Sequence, residues 1–215
     1  MVSQLDILAF LIFIACFGGY HALYLLIVEK YPKKAVKAYV RILREKSIAN
    51  LLEREEYETL VQQLRDAIQV CYVFASSSLI FMGLMFNLLI NIDEIARNLK
   101  ITDVTAFEYK VLFVIAIQAL SFIFFISSIR YYRMLSLLIA TPPEEILRLL
   151  GITAEKFYAQ LLDKGCTYYT LGSRGLLYSM LSFTWFLSPL AFLTLVIVVT
   201  LLLAKYRDFT RFQEV

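Results

Sequence analysis

Four stretches of this chain, residues 7–28, 67–92, 111–129 and 175–204, contain no Asp, Glu, Lys or Arg, so its 21 basic and 18 acidic residues are confined to the other 118 positions. An α-helix rises about 1.5 Å per residue and the hydrocarbon core of a bilayer is about 30 Å thick, so about 20 apolar residues cross it. The uncharged runs are 22, 26, 19 and 30 residues long, and each meets that requirement. The expectation is an all-α integral membrane four-helix bundle, a single transmembrane domain over residues 1–215. Its spans fall at about 6–28, 67–92, 110–130 and 175–204, with helical cytoplasmic loops at 29–66 and 131–174. Hydrophobic residues make up 60% of the chain and aromatics 15%, more than a soluble core of this length needs.

The first span resembles a secretory signal in one respect, since Phe13, Ile14, Ala15 and Cys16 have the look of a lipoprotein cleavage box. Its flanks argue the other way: Met1 to Leu5 carries no Lys or Arg, and the basic cluster follows the apolar run. The span is therefore expected to be retained. The first loop holds nine basic residues (Lys30, Lys33, Lys34, Lys37, Arg41, Arg44, Lys46, Arg54, Arg65) and the third holds six (Arg130, Arg133, Arg148, Lys156, Lys164, Arg174). The second loop holds three (Arg97, Lys100, Lys110) and the tail three (Lys205, Arg207, Arg211). With four spans the count is 15 against 6, and the positive-inside rule puts loops one and three in the cytoplasm of a cell-membrane protein with both termini outside. The basic tail opposes that orientation.

A net charge of +3 implies no nucleic-acid partner. The expected partners are membrane lipids and either further copies of the chain or other membrane-protein subunits. Cys16 and Cys71 lie inside spans and Cys166 stands alone, so they form no disulfide framework and no metal-type spacing, and all three read as packing residues.

The cytoplasmic connections have helical periodicity. After Pro32, Val36, Val40 and Leu43 share a face while Lys33, Lys37, Arg41 and Arg44 occupy others, a pattern that suits a helix on anionic headgroups or one packed on its own bundle. Tyr57, Leu60, Val61, Leu64 and Ile68 keep helical spacing into the second span, which predicts one long helix. Thr141, Pro142, Pro143, Glu144 and Glu145 have the order of a helix start, Gly151 ends that helix, and Thr153 caps the next. Pro189, in the middle of the last span, predicts a kink that serves packing or a gate.

Few polar residues lie within the spans. Gln118, Ser121 and Ser128 share one face of the third, and Ser76, Ser77 and Ser78 form a patch in the second; such residues serve helix packing or line an aqueous pathway. His21 is the single histidine, too few for a bis-imidazole haem or a multi-ligand zinc site within one chain, and reads as an interfacial hydrogen-bonding residue. Arg130 and Arg133 interrupt an apolar stretch that otherwise runs from Val111 to Ala140. Either they snorkel to the headgroups or they meet a buried partner, and Arg130, which comes first, is expected to matter more.

Particular segments carry a resemblance. Gly18, Gly19, Tyr20 and His21 in span one, QLRDAIQVCYVFASSSLIFMGL at 63–84, FIFFISSIRYYRMLSLLIATPP at 122–143 and LGSRGLLYSMLSFTWFLSPLAF at 171–192 resemble the membrane-protein family called domain of unknown function 599. The likeness covers nearly the whole chain. Its most specific parts are Gln62 or Gln63 and Arg65 before Phe74, Ala75 and Ser76, then Ser128 with Arg130, then Arg174 with Trp185 and Pro189. The resemblance implies a membrane topology and brings no assigned activity.

No catalytic set, cofactor motif or metal cluster emerges, so no enzyme activity, cofactor or metal is expected. The function expected is that of a structural or accessory subunit acting by self-association or within a larger membrane complex. The alternative is an oligomeric channel or small-solute transporter with Gln118, Ser121 and Arg130 along its pathway.

Overall fold

The structure, a computed structural model, describes residues 4–30, 36–98, 101 and 103–209. Pro32, Lys33, Lys34, Lys100 and Arg211 lie outside the described residues. The chain is all-α. In order come α1 (Gln4–Ile14), a π-helical turn (Ala15–Gly19), α2 (Tyr20–Lys30), α3 (Val36–Glu53), α4 (Tyr57–Ile90), α5 (Ile92–Asn98) and α6 (Val104–Leu138). There follow α7 (Pro143–Leu150), α8 (Ala154–Leu181), α9 (Phe183–Leu187), α10 (Pro189–Leu203) and a second π-helical turn (Ala204–Asp208). Four stretches are long and apolar enough to cross a membrane: Gln4–Val28, Tyr57–Ile90, Val104–Leu138 and Pro189–Asp208. As the spacing predicts, α4 is one helix of 34 residues, about 51 Å at 1.5 Å per residue, and projects beyond the apolar slab.

The central feature is the seam between α6 and α8, which run antiparallel. Gln118 of α6 bonds Ser179 of α8, and ten residues further along α6 the Ser128 hydroxyl donates to the Gly165 carbonyl at 2.8 Å. Glycines let the backbones close: a Cβ at Gly172 would lie 3.0 Å from the Phe125 ring, and Cβ atoms at Gly165 and Gly175 would collide with Tyr132 and Ser121. Small residues of this kind are what helices in lipid use to gain packing. Phe125 is in turn stacked on Phe74 of α4 at 5.5 Å between ring centroids, which joins α4 to the same seam.

The last uncharged run departs from expectation. Residues 175–181 complete α8, α9 makes the turn, and α10 returns antiparallel, with Tyr178 bonded to Thr200 at 2.6 Å and Arg174 paired with Asp208. Pro189 therefore opens a helix and does not kink one. Ser188, extended at φ −158° and ψ 122°, caps α10 by accepting from the Ala191 N–H, and the proline at N1 gives up an N–H that has no intrahelical partner anyway. α10 runs parallel to the first span, since Phe13 stacks on Phe192 and Tyr20 bonds Asp208. Gln4 and Asp208 thus lie toward opposite ends of the bundle. Between α6 and α10 lies α8, a further long helix that Arg174 and its small polar residues keep from registering as an apolar span.

Two local expectations also change. α7 starts at Pro143 with Pro142 before it and has no side-chain cap; the Thr141 carbonyl instead accepts from Tyr158. Gly151 ends α7 as expected, at φ 66°, in the left-handed region that glycine enters without strain. On α3, Leu43 faces out while Lys37 and Arg44 turn onto α8, bonding Thr167 at 2.6 Å and Asp163 at 3.1 Å. The helix packs on its own bundle through Lys37 and Arg44, while Arg41 and Lys46 stay exposed.

Candidate functional site

The start of α2, just after the first π-helical turn, meets the end of the second. A π turn inserts an extra residue and rotates the helix beyond it, and such turns concentrate at functional sites. The first presents Tyr20 and His21; the second presents Asp208. Between them lies Arg174 of α8, whose guanidinium pairs with Asp208 Oδ1 while the Tyr20 hydroxyl donates to Oδ2 at 2.5 Å. Both charged side chains are 2% exposed. Tyr24 lies beneath the guanidinium, 5.3 Å from ring centroid to Cζ.

The depth of this pair sets its cost. On α6, Lys110 and Arg130 are 20 residues apart, about 30 Å at 1.5 Å per residue, and bracket the apolar segment. Arg174 lies between Gly172 and Gly175, which face Phe125 and Ser121, so it is level with the apolar interior and well inside Arg130. An ionisable group at membrane depth is tolerated where it is paired and commonly marks a working part of the protein. His21, also buried, has Nδ1 2.6 Å from the Phe17 carbonyl, so Nδ1–H donates and Nε2 is left an acceptor. Among the described residues neither His21 Nε2 nor Arg174 Nε has a partner.

A cavity of about 230 Å³ opens beside the pair, lined by His21, Lys37, Arg44, Arg174, Arg207 and Asp208 together with apolar residues of α2, α3 and α8. Burial lowers the pKa of Lys37 below the ordinary lysine value, and the Asp163 carboxylate acts against that shift. At the other end of the bundle a second ionic cluster joins three segments. Asp6 Oδ1 accepts from Lys110 Nζ and from Trp185 Nε1, each at 2.8 Å, and Lys110 lies over the indole, 5.3 Å from its centroid.

Of the residues singled out from sequence, Arg174 and His21 come together at the buried site, while Trp185 belongs to the opposite cluster and Pro189 opens α10. Gln118, Ser121 and Ser128 do share a face, and that face is the α6–α8 seam. Ser76, Ser77 and Ser78 form no patch: Ser78 is buried, the other two face outward, and Ser77 bonds the Val73 carbonyl. Arg130 and Arg133 are both exposed. Arg133 donates to the Tyr72 hydroxyl, whereas Arg130 has no partner among the described residues. Sequence reasoning missed Asp6, Lys110, Tyr20 and Asp208. The available signals were a lone aspartate at the border of the first uncharged run and an acid among the basic residues that follow the last.

Fold and site together define a multi-pass α-helical membrane protein with a buried ion pair beside a basic cavity. The chain belongs to the DUF599 family, described as protein of unknown function, whose profile matches residues 8–212. Comparison with curated proteins and with solved structures gives no match.

Proposed function

We propose that the protein is an accessory or structural subunit of the cell membrane that acts by associating with copies of itself or with a larger membrane complex, without catalysis. The observation that supports this is the use of the polar face of α6. A pathway through one copy needs such a face open, yet Gln118 and Ser128 bond α8 and Ser121 lies against Gly175. What the bundle turns outward is apolar, including Val73, Ile80, Leu84 and Ile123, a surface for lipid or for a neighbouring subunit. The mass of the particle extracted in mild detergent tests the reading. A stable ring or a fixed co-migrating partner supports it, and a single copy without partner sinks it. Conductance of that particle in a planar bilayer moves the assignment to an oligomeric channel.

We also infer that the N-terminal end faces outside and the Asp208 end the cytoplasm. With Arg174 set apart as buried, 17 of the 21 basic residues belong to connections at the Asp208 end by their place in the sequence, against Arg97, Lys100 and Lys110 at the other. The basic tail, anomalous for a chain with both termini outside, then agrees with the loops. An impermeant thiol reagent on sealed cells should label Asn98→Cys and spare Ser47→Cys and Val215→Cys; labelling of Ser47→Cys alone would invert the orientation.

A further inference from the structure

The cavity beside Arg174 has a surplus of positive charge. Four cations line it, Lys37, Arg44, Arg174 and Arg207, with one lining carboxylate, Asp208. Both oxygens of that carboxylate are already engaged, one by Arg174 and one by Tyr20. Arg44 has its own carboxylate in Asp163 at 3.1 Å. Lys37 has a hydroxyl as its hydrogen-bond partner, Thr167, and Arg207 is exposed at the second π turn. A half-buried ammonium beside two guanidinium groups carries a desolvation penalty that a bound anion would offset.

We propose that this cavity binds a phosphate group, presented by an anionic lipid headgroup or by a soluble phosphate. The donors converge from three elements: Lys37 and Arg44 from α3, Arg174 from α8, Arg207 from the chain end. A tetrahedral phosphate offers acceptor oxygens in several directions and suits such an array better than a planar carboxylate does. At about 230 Å³ the space exceeds several times the roughly 30 Å³ that one water occupies in the liquid, so a phosphate with some attached atoms fits. Leu25, Val36 and Val40 supply an apolar wall next to the cations, which suits the glycerol and acyl part of a lipid. His21 Nε2, on the same wall, is an unpartnered acceptor for a hydroxyl of a headgroup or of a protonated phosphate. The cluster at the opposite end has no such surplus, since Lys110 is matched by Asp6.

The test uses the full chain in phosphatidylcholine nanodiscs prepared without free phosphate, with the thermal unfolding midpoint as readout. Inorganic phosphate is titrated against sodium chloride of equal ionic strength, and in a second arm part of the phosphatidylcholine is replaced by phosphatidic acid. The midpoint rises with inorganic phosphate if the ligand is soluble, and with phosphatidic acid alone if it is a headgroup; either result supports the site. Lys37→Gln and the exposed Arg207→Gln, whose folding is not at risk, should each weaken the apparent affinity about fivefold, equivalent to about 1 kcal/mol per basic group. Arg130→Gln should titrate like the parent. A flat response in both arms overturns the proposal, and so does equal weakening by Arg130→Gln.

Discussion

The bundle is tied at each end by an aspartate that holds segments distant in sequence, and the two ties differ chiefly in their access to water. Asp6 and Lys110 keep 11% and 15% of their side-chain surface exposed. Asp208 and Arg174 keep 2% each. A pair that reaches water or headgroups is readily rehydrated when broken, whereas a pair this deeply buried leaves a charge that is costly to rehydrate. The same chemistry therefore serves two purposes. At the Asp6 end it fastens α1 and the α8–α10 turn to α6, and the indole of Trp185, stacked on Phe192 at 5.0 Å, shares the work. At the Asp208 end it brings a guanidinium into a site that two π turns have shaped and leaves a basic cavity beside it.

Breaking the sealed pair is the sharpest test of that contrast. Asp208→Ala should destabilise the protein by about 3–5 kcal/mol, the cost of stranding one partner of a buried pair. The double variant Arg174→Met with Asp208→Leu should regain much of the loss, because no charge is then left without a partner. Equilibrium unfolding in mixed micelles of rising sodium dodecyl sulfate fraction measures both. If Asp208→Ala costs no more than the double variant, Arg174 reaches water by another route and the contrast between the ends fails.

Asp6→Ala comes next. It removes an acceptor from Lys110 and from Trp185, and hydrogen bonds to charged groups contribute about 1.5–3 kcal/mol each where they are well sealed. Partial exposure of both residues puts the expected loss toward the lower end of that range. The same unfolding titration should rank Asp6→Ala below Asp208→Ala, and the reverse ranking would make the more exposed end the stronger anchor. Between the two ends, Gly172→Ala probes the seam: its methyl would lie 3.0 Å from the Phe125 ring, and overpacking of this kind costs about 1–3 kcal/mol. A neutral result there would show that α8 can shift against α6, and the depth assigned to Arg174 would shift with it.

How far the sequence carries these conclusions depends on how local each signal is. Runs without charge are a local property, so α4 and α6 are legible within a few residues, and Gly151 is legible as a helix end. The α8–α10 hairpin is not, because Arg174 and the small polar residues around it give α8 the composition of a loop. Two hints were present. The run from 175 to 204 has 30 residues where about 20 suffice, and Ser188–Pro189 has the cap and N1 proline that start a helix. The site itself was half legible. His21 stands out as a polar residue in apolar surroundings and Arg174 through the family resemblance, while Asp6 and Asp208 read as ordinary charges flanking their runs. Their partners, Trp185 and Arg174, lie 179 and 34 residues away, beyond the reach of any periodicity.

The smallest expected effect extends the series to a fully accessible arginine. Arg133 donates to the Tyr72 hydroxyl at 2.5 Å and lies 5.6 Å from that ring's centroid, and a cation–π contact at an exposed site contributes about 0.5–1 kcal/mol. Arg133→Ala should therefore cost at most about 1 kcal/mol, and Tyr72→Leu about as much, with little further loss in the double variant. Arg130→Ala should leave the unfolding curve unchanged, since its side chain is exposed, free to snorkel, and without a partner among the described residues. The three arginines then rank Arg174, Arg133, Arg130 in the order of their burial and pairing. A large loss for Arg130→Ala in the native particle, absent from the isolated chain in detergent, would place its partner on another subunit, and that outcome would strengthen the case for an associating protein while breaking the ranking.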